Sequence, residues 1–139
     1  MRSLRAVEPR DARTALVDGR GIVLACGNGY LDLGRDPEVV AAAREALERW
    51  GASSASSRFV AGDHPLHEAL EAECAALVGA EAALVVGSGY LANTGLLRAL
   101  GRGAAIASDE RNHASIVDGC LAARAAAVET WRHANPDDA

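Results

Sequence analysis

The sequence predicts an α/β protein in which Ala-rich helices pack on a parallel sheet, and three observations carry that prediction. From Ala82 onward, short apolar runs alternate with helical stretches at close intervals. Half of the 139 residues are hydrophobic yet only 4% are aromatic, so the core must consist of small side chains. Prolines and glycines fall where helices begin and end. Buried strands alternating with helices imply parallel pairing with right-handed crossovers, and a small-side-chain core suits helices on a sheet better than a β-sandwich. A chain of this length buries roughly two thirds of its unfolded surface, enough for a real core.

Each element follows from local chemistry. Thr14–Val17 and Gly21–Cys26 are β-prone runs around Asp18-Gly19-Arg20-Gly21, a hairpin signal that predicts a small β-ribbon. Asp36 caps a helix whose first residue is Pro37; Val39, Val40, Ala43, Leu47 and Trp50 recur at helical spacing until Gly51. Residues 52–57, small and polar, form a loop. Asp63 or His64 caps a second helix from Pro65, with Leu66, Leu70, Cys74, Leu77 and Val78 on its apolar face and Gly79 as its stop. Next come a strand over 82–86, a turn at Gly87-Ser-Gly89, a helix over 90–100, a strand over 104–107, a helix over 115–124 and a strand over 126–131. No internal repeat is present.

Composition excludes several classes. A net charge of −5, a pI near 5.3 and scattered arginines give no footprint for nucleic acid. No stretch approaches a membrane span, and the charged start lacks an apolar centre, so a cytoplasmic protein is expected. Cys26, Cys74 and Cys120 have neither zinc nor disulfide spacing and are expected as small buried hydrophobes. All fourteen basic residues are arginine; there is no lysine.

Two constellations can carry chemistry. Gly87-Ser-Gly-Tyr-Leu-Ala-Asn-Thr-Gly95 lies between a buried strand and a helix. Glycines there let backbone approach a ligand, and the helix N-terminus favours an anion; a plain strand-to-helix turn is the alternative. Ala92 replaces the third glycine of the dinucleotide fingerprint, which is therefore not the reading. Asp109-Glu-Arg-Asn-His113-Ala-Ser115 follows the next strand, at the carboxyl edge where open α/β sheets bind ligands. His113 there either stacks on a flat ring or shuttles protons, or it only enters a helix with a local hydrogen bond. The two loops follow consecutive strands and should converge on one crevice.

In order and spacing, these segments and three others resemble the α-oxoamine synthases: Asn28-Gly-Tyr-Leu-Asp-Leu33, Ser57-Arg-Phe-Val-Ala-Gly62 with His67-Glu-Ala-Leu-Glu71, Ser88-Gly-Tyr-Leu-Ala-Asn93, and Asn112-His-Ala-Ser115 running into Asp118-Gly119. Such enzymes use pyridoxal 5′-phosphate on a fold-type I scaffold to condense an amino acid with an acyl thioester, of coenzyme A or a carrier protein, with loss of CO₂. Within the family, the segment from Asp109 to Val128 is most similar to the members of biotin synthesis; the glycine-using members are the alternative. A non-catalytic phosphate-binding or scaffold module is the reading from another class.

The resemblance implies site residues position by position. Ser88, Gly89, Tyr90 and Asn93 correspond to the cofactor-binding segment, with Gly89 and Tyr90 beside the phosphate. His113 corresponds to the histidine stacked on the pyridine ring. Asn28 and, with uncertain spacing, Arg5 correspond to substrate-binding positions; an Asn-Gly turn and a solvated surface charge are their alternatives. His64, His67 and His133 carry no assigned chemistry. Asp32 stands where the family usually has glycine. The resemblance implies a homodimer, an N-terminal segment over residues 1–34 with the β-ribbon, and the first part of the cofactor-binding large domain over 35–139. Because a family member would need a Schiff-base lysine, expected beyond Ala139, these residues are expected to be an N-terminal portion, inactive alone.

Overall fold

A computed structural model describes residues 5–138. They fall into two compact units that divide between Asp63 and His64, with residues 37–50 in the first.

The first unit opens with an antiparallel three-stranded ribbon, β1 (Val7–Pro9), β2 (Thr14–Val17) and β3 (Arg20–Val23), in sequence order. Val17 pairs with Arg20, leaving Asp18 and Gly19 as a two-residue turn with φ of +51° and +74°. Positive φ at both positions matches the right-handed twist of the strands, and Asp-Gly is the pair that tolerates it. The ribbon buries Ala15. β3 ends at Val23, short of Cys26, and Cys26 is exposed. β1 was not expected: it is three residues long and contains a proline, so it survives only on the edge. The Asp11 carboxylate closes the β1–β2 turn by accepting from the Arg13 and Thr14 amides, each at 2.7 Å, and from the Thr14 hydroxyl at 2.9 Å.

Tyr30–Arg35 forms helical turns interrupted at Leu31 and Asp32, both left-handed (φ +57° and +55°). Asp32 thus holds a conformation that glycine adopts more readily, and aspartate is among the residues that tolerate it. Helix α1 (Pro37–Trp50) starts where expected, with Asp36 Oδ1 accepting from the Glu38 amide at 2.8 Å, and ends at Gly51 with φ +76°. Arg58–Gly62 makes one wide turn closed by Gly62 N–H donating to the Ser57 carbonyl at 2.9 Å. A Cβ at Gly62 would overlap the Ser56 carbonyl, which requires glycine there.

In the second unit, His64 rather than Asp63 caps α2 (Pro65–Val78): its Nδ1 accepts from the Leu66 amide at 3.2 Å, while its own N–H donates to His67 Nδ1 at 3.1 Å. Two imidazoles thus perform the reciprocal capping usually made by Ser or Thr with Glu or Gln. Left-handed Gly79 closes the helix. Then follow α3 (Gly89–Leu100), β4 (Ala105–Asp109), α4 (Ala114–Ala122) and β5 (Ala127–Trp131), within two residues of the expected bounds. β4 and β5 pair in parallel, Ala105 opposite Ala127 through Asp109 opposite Trp131. Residues 82–86 are not a strand, contrary to expectation. An apolar run becomes a strand only by pairing, and among the described residues no strand lies beside it.

α3 packs on α4, and the approach is close because Gly119 has no side chain: a Cβ there would stand 2.6 Å from Leu97 Cδ1 and 3.2 Å from the Asn93 carbonyl. Ala75, Cys120 and Ala123 are buried, as a small-residue core requires. Among the described residues no helix is long and apolar enough to cross a membrane.

Candidate functional site

The start of α3 and the start of α4 build the site. Ser88 is the N-cap of α3, its Oγ accepting from the Leu91 amide at 3.2 Å. Such a cap stabilises a helix by about 0.5–2 kcal/mol, and it leaves the hydroxyl proton free to donate. The Gly89 and Tyr90 amides, at the first two helical positions, have no acceptor among the described residues. A Cβ on Gly89 would meet nothing within 4 Å, so the backbone faces open space. Two free amides and a hydroxyl at the positive end of a helix dipole form a donor set that fits a phosphate group.

Tyr90 projects from the same turn to α4, where its hydroxyl donates to Asp118 Oδ2 at 2.7 Å. By accepting this bond, the Asp118 carboxylate raises the phenol pKa above its ordinary value, with desolvation and charge repulsion acting in the same direction. One turn further along α3, Asn93 Nδ2 donates to Ser115 Oγ at 2.8 Å. Ser115 is wholly buried in the first turn of α4. His113 is the N-cap of α4; its Nδ1 accepts from the Ser115 amide at 3.2 Å and lies 2.7 Å from the Ser115 hydroxyl. The helix-entry role of His113 is therefore real. The residue as a whole stays exposed, so the same geometry leaves it accessible to a ligand. Asn112 Nδ2 fixes the loop from behind by donating to buried Ser108 Oγ at 3.0 Å.

Tyr90 and Asn93 on α3 are thus tied to α4, Asn93 through Ser115 to His113, while Ser88 and Gly89 stand beside Tyr90 at the start of α3. Asn28 and Arg5 lie in the first unit, both exposed; Asn28 Oδ1 accepts from the Tyr30 hydroxyl at 3.5 Å, near a cleft of about 450 Å³ lined by Asp11, Arg13, Gly27 and Asp32 among others. Two partners at the site were not assigned a role from the sequence, Asp118 and Ser115. Both stood inside quoted motifs, but their partners are on another helix, so no local spacing revealed them. His133 also gains a partner, with Nδ1 3.0 Å from Asp109 Oδ2 at the carboxyl edge of the β4–β5 pair. The Asp109 carboxyl is held below its ordinary pKa, first by the Arg111 amide at 2.7 Å and then by His133. Among the described residues no group of three metal-ligating side chains converges.

Residues 20–138 match the family model described as aminotransferase class I and II. The chain belongs to that family. It is 51% identical over 138 residues to 8-amino-7-oxononanoate synthase of Anaeromyxobacter sp. (strain K), covering 99% of this chain and 34% of that protein. It is also 51% identical over 125 residues to the enzyme of that name from Geobacter sulfurreducens, covering 89% and 32%. The chain therefore spans about a third of the length of the curated relatives it matches. Among solved structures, serine palmitoyltransferase from S. paucimobilis, with a bound PLP–myriocin aldimine, superposes with a TM-score of 0.87 at 31% identity, over 96% of this chain and 34% of that one. An 8-amino-7-oxononanoate synthase from Francisella tularensis shares the fold, with a TM-score of 0.59 at 24% identity over 75% and 29% of the two chains. The α/β fold of the fold-type I enzymes expected from the sequence is thereby borne out, over about a third of such a chain.

Proposed function

We propose that this chain forms the phosphate cradle and one wall of a pyridoxal 5′-phosphate site in an α-oxoamine synthase of the 8-amino-7-oxononanoate synthase kind, which condenses an amino acid with an acyl thioester and releases CO₂ in biotin synthesis. The observation that carries the proposal is the donor set at the start of α3, joined through the α3–α4 contact to the exposed His113.

In this proposal the Gly89 and Tyr90 amides and the Ser88 hydroxyl hold the phosphate, whose dianionic charge the helix N-terminus favours. Tyr90, tied to Asp118, keeps its ring from swinging into that space. Asn93 and Ser115 fix the His113 ring, which would stack on the cofactor's pyridine ring and keep water from it. When bound, pyridoxal phosphate supplies the electron sink for charge that develops at the amino acid α-carbon. The 139 residues contain no lysine, so they contribute cradle and wall but no Schiff-base lysine. Arg5 and Asn28 serve the substrate, with the Arg5 guanidinium donating to the substrate carboxylate. The complete protein works as a cytoplasmic homodimer.

The test is pyridoxal phosphate binding, followed by cofactor absorbance and by borohydride reduction. Expected are saturable binding that inorganic phosphate competes away, weakening at least about tenfold with Gly89→Pro, and no reduced adduct on any side chain. Binding unaffected by phosphate or by Gly89→Pro would overturn the cradle. A reduced side-chain adduct away from the N-terminal amine would overturn the division of labour.

A further inference from the structure

The hydroxyl of buried Ser115 joins two functional side chains, and the directions of its bonds are not independent. The Ser115 backbone N–H donates to His113 Nδ1 at 3.2 Å. An amide N–H can only donate, so Nδ1 must present its lone pair. Asn93 Nδ2 donates to Ser115 Oγ at 2.8 Å, which leaves the hydroxyl proton to point along the 2.7 Å separation toward the same Nδ1. In the opposite arrangement the proton sits on Nδ1 and is directed at Oγ, the hydroxyl turns to a flipped Asn93 carbonyl, and the Ser115 amide loses its acceptor. Ser115 is 0% exposed, so water does not replace that acceptor, and an unpaired buried donor disfavours the arrangement about tenfold or more.

We propose that Asn93 and Ser115 lock His113 in the Nε2–H tautomer, with Nδ1 turned inward, so that His113 offers a ligand a hydrogen-bond donor at Nε2 and no base at Nδ1. Asn93 and Ser115 are then positioning residues acting through His113. That the ligand is the pyridine-bearing cofactor rests on the function proposed above; the tautomer does not. Of the roles the sequence left open for His113, proton transfer through Nδ1 is thereby removed, while stacking and donation from Nε2 remain.

The experiment is a two-bond ¹H–¹⁵N correlation spectrum of the ¹⁵N-histidine-labelled protein without cofactor, recorded about two pH units above the ordinary imidazole pKa of about 6.5 so that neutral rings dominate. The four histidines are distinguished by His113→Gln. Expected for His113 is an unprotonated Nδ1 and a protonated Nε2, at a ratio displaced about tenfold or more from that of a free imidazole. Asn93→Asp replaces the amide donor with a carboxylate that only accepts. The Ser115 hydroxyl should then turn to it, Oγ should accept from Nδ1–H, and the ratio should move several-fold toward the Nδ1–H form. A wild-type ratio like that of free imidazole, or a protonated Nδ1, overturns the proposal and needs no variant to fold. A folded Asn93→Asp with an unmoved ratio overturns the role of the relay. Because no cofactor is present, failure here is distinguishable from failure of pyridoxal phosphate to bind.

Discussion

Two glycines inside helices separate backbone propensity from packing. Gly95 lies in the middle of α3, and a Cβ built on it meets nothing within 4 Å. Gly119 lies within α4, where a Cβ would stand 2.6 Å from Leu97 Cδ1, 3.1 Å from Leu97 Cβ and 3.2 Å from the Asn93 carbonyl. Carbon atoms pack best at about 3.5–4.0 Å. The Leu97 methyl can rotate aside, whereas Leu97 Cβ and the Asn93 carbonyl are fixed to α3, so the helices must part by several tenths of an ångström. Glycine-to-alanine in a helix interior stabilises by about 1 kcal/mol, and overpacking costs about 1–3 kcal/mol. Gly95→Ala should therefore gain about 0.5–1 kcal/mol, while Gly119→Ala should lose up to about 2 kcal/mol. Their difference, about 1–3 kcal/mol, isolates the packing cost. Urea unfolding followed by far-UV circular dichroism measures both. Equal stabilisation by the two substitutions would refute the close α3–α4 approach, and with it the geometry that joins Asn93 to Ser115.

Three further outcomes are expected. In a spectrophotometric alkaline titration, Tyr90 ionises above the ordinary phenol value, and Asp118→Asn lowers it; no change on removing that carboxylate would contradict the Tyr90–Asp118 bond. Asp109 has a depressed pKa when folded, so its contribution to stability is present above the ordinary carboxyl value of about 3.9 and is lost as pH falls through the folded value. The stability difference between wild type and Asp109→Asn should accordingly shrink from pH 6 toward acid, and a difference constant with pH would rule the effect out. Ser88→Ala should cost about 0.5–2 kcal/mol in thermal unfolding through loss of the α3 cap, with Ser88→Asn recovering most of it.

Much of the fold is written locally. Asp36-Pro37 and Gly51 bracket α1 because capping and chain reversal involve only neighbours, and Asp18-Gly19 sets the hairpin for the same reason. Elements that depend on distant partners were not legible. The run at 82–86 has the composition of a strand without a neighbour beside it among the described residues, and β1, too short and proline-bearing to be recognised, exists because β2 pairs with it. The choice of His64 over Asp63 as a cap hinged on His67, since a reciprocal pair of imidazoles is not an expected capping box. At the site, Ser88 and His113 could be placed at helix starts from spacing alone. The Tyr90–Asp118 and Asn93–Ser115 bonds could not, because they cross from α3 to α4 and depend on how closely Gly119 lets the two helices approach.

One contact links the second helix to the cradle. The Glu71 carboxylate on α2 accepts from the Val85 amide at 2.8 Å, near the end of the apolar run at 82–86. By holding the Val85 amide two residues before Gly87, Glu71 ties α2 to the segment that leads into the proposed phosphate cradle, so a change on α2 is felt at the start of α3.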